Sequence, residues 1–119
     1  MTQSESERRK YARINAHFVV SYRILEEIDN YDISQTKNIC LGGMLLTTNI
    51  PFNPGTRLTL EIRVPFNKEP LNIVGRVIES KEITRNLIYD TRLEFLSIDN
   101  ISKEAVEKTI QYLSKRKKE

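Results

Sequence analysis

The chain has 119 residues, 39% of them hydrophobic and 29% charged. That composition sets aside intrinsic disorder and suits one domain with one modest core. The longest near-apolar stretch, Leu41 to Leu46, falls far short of the roughly 18 residues a membrane span needs, and one cysteine with one histidine excludes an intramolecular disulfide and the usual structural zinc sets.

The net charge of +3 is unevenly placed. Arg8, Arg9, Lys10 and Arg13 lie near one end, and Lys115, Arg116, Lys117 and Lys118 near the other. Residues 14–114 hold thirteen acids against eleven bases. Basic ends on a slightly acidic body suit a phosphate-bearing partner. No apolar stretch at the N-terminus reads as a signal segment, so the expected location is the cytoplasm.

Residues 1–13 show no apolar periodicity and read as a flexible basic arm. Residues 14–119 read as the folded domain. Phe18, Val20, Tyr22 and Ile24 alternate with Val19, Ser21 and Arg23, which predicts a strand with one apolar face. Tyr31 to Thr48 predicts two strands separated by Leu41-Gly42-Gly43. Pro54-Gly55 marks a turn. After it Leu58, Leu60, Ile62 and Val64 alternate strictly with Arg57, Thr59, Glu61 and Arg63, the pattern of a half-buried strand, and Pro65 ends it.

Ile73, Gly75 and Val77 share one face of the next strand, opposite Val74, Arg76 and Ile78. Leu87, Tyr89, Thr91, Leu93 and Phe95 share one face of the last. No helical period separates these strands, which argues against a parallel sheet, whose crossovers need helices. The period changes at the end. Val106, Ile110 and Leu113 fall at i, i+4 and i+7 of a helix about 103–116, with Ser102 as its expected N-cap and Glu104 as an early favourable charge. The result is an all-β fold, a sandwich or barrel of about six strands with a terminal helix outside or over one end. Phe18, Tyr22, Met44, Tyr89 and Phe95 are expected in the core, and His17 at its rim.

No catalytic constellation stands out, and no enzymatic activity is expected. Cys40 and His17 lack an orienting third group. Gly42-Gly43 is not a phosphate loop, because no Gly-Lys-Ser/Thr follows. Nucleic acid is disfavoured as a partner, since no strand interleaves aromatic with basic residues.

What remains is the binding of a compact anion. Arg9 and Arg13 are four apart, with Arg8 adjacent. Guanidinium groups grip phosphate bidentately, stack on bases, or take guanine O6 and N7 together. Asn38 can pair with a base edge. Gly42 and Gly43 allow positive φ or close approach of the backbone to a ligand.

In this order the two elements resemble the PilZ domain family of bacterial cyclic di-GMP receptors. Arg9-Lys10-Tyr11-Ala12-Arg13 matches its Arg-x-x-x-Arg motif, and Asn38-Ile39-Cys40-Leu41-Gly42-Gly43 its Asp/Asn-x-Ser-x-x-Gly motif. The resemblance covers about Arg8 to Arg116. It implies a six-stranded antiparallel β-barrel with a C-terminal α-helix. It implies that Arg9 and Arg13 engage phosphates and guanine faces, and that Asn38 and Cys40 contact a guanine edge beside Gly42 and Gly43. Arg8 would add contacts to a second, stacked ligand molecule. Cyclic di-GMP is then the ligand, no cofactor is expected, and the downstream partner is a separate protein.

Two departures stand out. Cys40 occupies the serine position, and a thiol hydrogen-bonds more weakly than a hydroxyl. Glu79 follows Ile78 where many members carry an aromatic, so a stacking platform is replaced by a negative charge, which would oppose binding if Glu79 faced the ligand. The alternative is a degenerate PilZ-like protein-interaction module that binds no nucleotide.

Overall fold

The computed structural model describes residues 14–27, 31–65 and 67–118, with the side chains of Ile14 and of residues 114–118 left undescribed. Among the described residues seven strands precede one helix: β1 (Ile14–Asn15), β2 (Val19–Ile24), β3 (Asp32–Ile39), β4 (Gly43–Thr48), β5 (Arg57–Ile62), β6 (Leu71–Thr84), β7 (Ile88–Ser97) and α1 (Asn100–Lys118). Every strand pairing is antiparallel. Going round, β2 pairs with β3, β3 with β4, β4 with β7, β7 with β6, β6 with β5, and β5 with β2. Six strands therefore close into a barrel, which leaves no long open edge. The two-residue β1 is an addition the alternation did not announce. It pairs with the end of β3, beyond the residues that β2 covers.

The alternating patterns translate directly into burial. Val20 and Tyr22 of β2, Leu58, Leu60 and Ile62 of β5, and Ile73 and Val77 of β6 all point into one core. Met44 joins them, and Phe18 and Phe95 pack on it half-buried. Leu87 departs from its expected face. It sits in the turn after β6, 63% exposed, with its N–H bonded to the Thr84 carbonyl at 2.9 Å and Asn86 at φ 59° beside it.

The helix starts earlier than the period suggested, and Asp99 caps it instead of Ser102. Asp99 Oδ1 accepts from the Ser102 N–H at 2.7 Å, and its carbonyl accepts from Lys103 at 2.9 Å. Asp99 immediately precedes the first helical residue, so its carboxylate reaches an unpaired N–H and supplies the favourable charge as well. Ser102 is buried one turn inside, with Ala105, Val106, Thr109 and Ile110. This buried stripe is wider than Val106, Ile110 and Leu113 alone, because small and hydroxyl residues share it. It seats α1 against β1 and β6. Among the described residues no helix is long and apolar enough to cross a membrane.

Tyr22 gives the barrel an alkaline limit. Its ring meets Phe52 edge-on, with centroids 6.2 Å apart. Burial first, and the charge of its cross-strand partner Asp32 second, push the phenol up to about 12, against a backbone hydrogen bond at Asn49. The unfolded chain therefore gives up this proton at lower pH than the folded one. Stability is complete below about pH 10 and falls toward pH 12. At about 1.4 kcal/mol per unit, reduced for partial solvent screening, the loss should reach roughly 2 kcal/mol. Denaturant midpoints should show this decline in the wild type, and Tyr22→Phe should flatten it.

Candidate functional site

The strands β3, β4, β7 and β6 lie side by side, and their registers align residues into rows. Ile39, Met44, Leu93 and Val77 form an inward row, each at most 3% exposed. The adjacent row, on the outer face, is Asn38, Leu45, Arg92 and Glu79. On the other side of the inward row, Gly43, Glu94 and Arg76 face each other. A strict two-residue period from Ile73, Gly75 and Val77 would carry Glu79 into the core. The register instead shifts between Val77 and Glu79, with Ile78 as the extra residue of a bulge. The bulge brings Glu79 out beside Arg92 and leaves Ile78 45% exposed.

Between β3 and β4 the chain turns tightly. The Cys40 N–H donates to the Gly43 carbonyl at 2.9 Å, and the Phe95 N–H donates to the Gly42 carbonyl at 2.8 Å. Gly43 passes so close to β7 that an added Cβ would run into the Leu93 carbonyl oxygen and lie 3.1 Å from Glu94 Cα. Close approach explains this glycine. Positive φ is found at Gly55, in the turn before β5.

Above the turn lies a cleft of about 150 Å³. Asn38, Cys40, Gly42 and Gly43 line one side, and Ile78, Arg92 and Glu94 the other. The cleft is open to solvent on one side and too small to enclose a whole dinucleotide, so it can seat one base at most. Its charges nearly cancel. Arg76 bonds Glu94 directly, and Arg92 stands 4.0 Å from Glu79. The described residues therefore give the cleft little net charge. Arg8, Arg9 and Arg13 lie outside the described residues, so the structure brings together four of the seven expected site residues.

Residue 14 follows Arg13 directly, and it pairs with Ile39, next to Cys40. The segment leading out of β1 is fixed by Thr36. The Thr36 hydroxyl donates to the Ala16 carbonyl at 2.5 Å and accepts from the Phe18 N–H at 3.0 Å. His17 Nδ1 donates to the Thr36 carbonyl at 3.0 Å. His17 is thus a strut of this junction, and it does not line the cleft with Cys40.

Sequence reasoning missed Ile78, Arg92 and Glu94. Alternation put Arg92 and Glu94 on the outer face, but only the pairing register sets them beside Asn38 and Gly43. Leu41 was also unassigned. It packs half-buried on the core and faces Glu107, Ile110 and Gln111 of α1 across a second, 170 Å³ cleft. The turn that floors the site is thereby in touch with the helix.

Comparison with solved structures finds the same fold at low identity. The Bacillus subtilis inhibitor of motility (MotI/DgrA) superposes with a TM-score of 0.73 at 22% identity, covering 92% of this chain and 51% of that one. The PilZ domain of YcgR from Escherichia coli, solved with c-di-GMP, gives 0.67 at 19% identity, covering 92% and 93%. The MrkH–c-di-GMP complex of K. pneumonia gives 0.70 at 17% identity, covering 100% and 57%. The chain thus spans about half the length of MotI and of MrkH. No curated protein matches the sequence. The PilZ domain family model matches residues 7–112. That match runs through every strand of the barrel and most of the helix, and by it this chain belongs to the PilZ domain family.

Proposed function

We propose that this chain is a cyclic di-GMP receptor that draws its N-terminal arm over the cleft on binding and signals to a separate protein. The observation that carries this reading is the convergence of Asn38, Cys40, Gly42 and Gly43 on one base-sized cleft, with β1 starting beside it at Ile39. Asn38 would pair with a guanine edge, and the glycine turn would let the ring approach the backbone. The cleft itself is nearly neutral, so Arg9 and Arg13 would supply the charge that meets the phosphates. Solved relatives with c-di-GMP bound, YcgR and MrkH, support the ligand class. Closure of the arm is the two-state element, and the ligand favours the closed state by the contacts the arginines make only there. Leu41 and its α1 neighbours offer a route from the cleft to the helix surface.

Calorimetric titration of cyclic di-GMP tests the reading. The wild type should bind at micromolar concentration or tighter. Arg9→Ala and Arg13→Ala should each weaken binding by at least about 30-fold, the loss of a charge-assisted bidentate contact. Cys40→Ser should strengthen it about two- to tenfold, the worth of one neutral hydrogen bond. Wild-type affinity in both arginine variants would refute the assigned site. No binding, with no rescue by Cys40→Ser, would leave the protein-interaction module as the better description.

A further inference from the structure

Among the described residues that line the cleft, Arg92 is the cation and Glu94 the anion. Glu94 is already bonded by Arg76, its neighbour on β6. Lys37 bonds Asp90 at 2.7 Å, and Arg57 bonds Glu26 at 2.7 Å. Arg92 is held differently. The Glu79 carboxylate stands 4.0 Å from its guanidinium, too far for a hydrogen bond. Both side chains are about half exposed, at 48% and 55%, so water and salt screen what attraction remains. Arg92 can therefore turn toward an anion in the cleft without stranding a buried charge.

We infer that Arg92 is a further ligand-contacting residue, one that grips a phosphate oxygen of the bound nucleotide, and that Glu79 competes with the ligand for it. This rests on the cyclic di-GMP reading and extends it to two residues outside both sequence motifs. Arg92 shares its row with Asn38, two strands away across Leu45. Neighbouring strands lie about 4.8 Å apart, so the two residues stand roughly 10 Å from each other across the cleft. Asn38 then holds a base edge at one side while Arg92 takes charge at the other. The guanidinium fork suits phosphate, and no other described cation lines the cleft. Glu79 weakens binding twice over. It holds Arg92 in the free protein, and it repels the phosphate that replaces it.

Cyclic di-GMP titrated into the wild type, Arg92→Ala, Glu79→Gln and the double variant tests this. Arg92→Ala should weaken binding about tenfold. Glu79→Gln should tighten it about three- to fivefold, less so at about 0.5 M salt. Most of that gain should disappear in the Arg92→Ala background, because its main source is the freed guanidinium. All variants should melt with the wild type, since both side chains are exposed. Binding by the wild type with Arg92→Ala unchanged would overturn this inference and leave the receptor reading standing. An equal gain from Glu79→Gln with and without Arg92 would reduce Glu79 to simple repulsion and overturn the competition. No binding by the wild type or any of these variants, with no rescue by Cys40→Ser, would overturn both readings.

Discussion

Gly43→Ala is expected to destabilise the barrel by about 3 kcal/mol, at the upper end of what overpacking costs. The usual relief of overpacking is a shifted side chain. Here the obstacle is backbone: the Leu93 carbonyl and Glu94 Cα. The strand β7 cannot recede, because it is paired with β4 on one side and β6 on the other. A methyl group must therefore break the start of the β4–β7 ladder or push the Cys40–Gly43 turn off the barrel. Either response moves Asn38 and Cys40 relative to Arg92.

The measurement is urea denaturation, where a loss of this size lowers the midpoint by about 1–2 M. Gly55→Ala is the control. Nothing lies within 4 Å of its added Cβ, but its φ is 93°. Its cost is conformational alone, about 1–2 kcal/mol. A Gly43→Ala protein as stable as the wild type would show that the turn does not rest on Leu93. Where the variant folds, its affinity for cyclic di-GMP gives a second readout, and it should fall sharply because the floor of the cleft has moved.

The contrast between these glycines shows how the site was and was not legible. The motif spacing singled out Gly43, but the reason for a glycine there is a contact with residue 93, fifty positions away. The strands β2 and β5 were readable because each presents one face to the core along its whole length. The far half of β6 was not. Residues 79–84 run Glu-Ser-Lys-Glu-Ile-Thr, and from Lys81 onward every residue is exposed. That segment is held by pairing with β7, and it carries no period of its own. Glu79 was unplaceable for a related reason. Alternation would have buried it, and the bulge at Ile78 brings it out. Local sequence does not encode a bulge that answers to a partner strand. The helix start shows a third kind of ambiguity. Asp99 and Ser102 are both good caps, and the chain uses the first because the helix extends back to Asn100.

Leu60 and Gly75 form a pair whose substitutions should couple across the β5–β6 seam. Leu60 is fully buried in β5, and Leu60→Ala should lose about 2–5 kcal/mol through transfer and cavity terms. Gly75 lies on the neighbouring strand, directly opposite Leu58. A Cβ there would sit 3.3 Å from Leu60 Cδ1, 3.3 Å from the Glu94 carbonyl oxygen and 3.6 Å from Leu93 Cβ. Gly75→Ala alone should cost no more than about 1 kcal/mol, since crowding is partly offset by the stiffer unfolded chain. The double variant should be less destabilised than the sum by about 1 kcal/mol, because the new methyl fills space that Leu60 vacates. Thermal or urea melting of the four proteins measures the coupling. Strict additivity would mean that the Glu94 carbonyl, and not Leu60, sets the clearance at Gly75. The spacing of β6 against β7 would then be fixed by backbone contact at Glu94, and core substitutions on β5 would leave the cleft unmoved. Favourable coupling would mean instead that side-chain packing from β5 sets the position of β6, so that core variants remote from the ligand should also change its affinity.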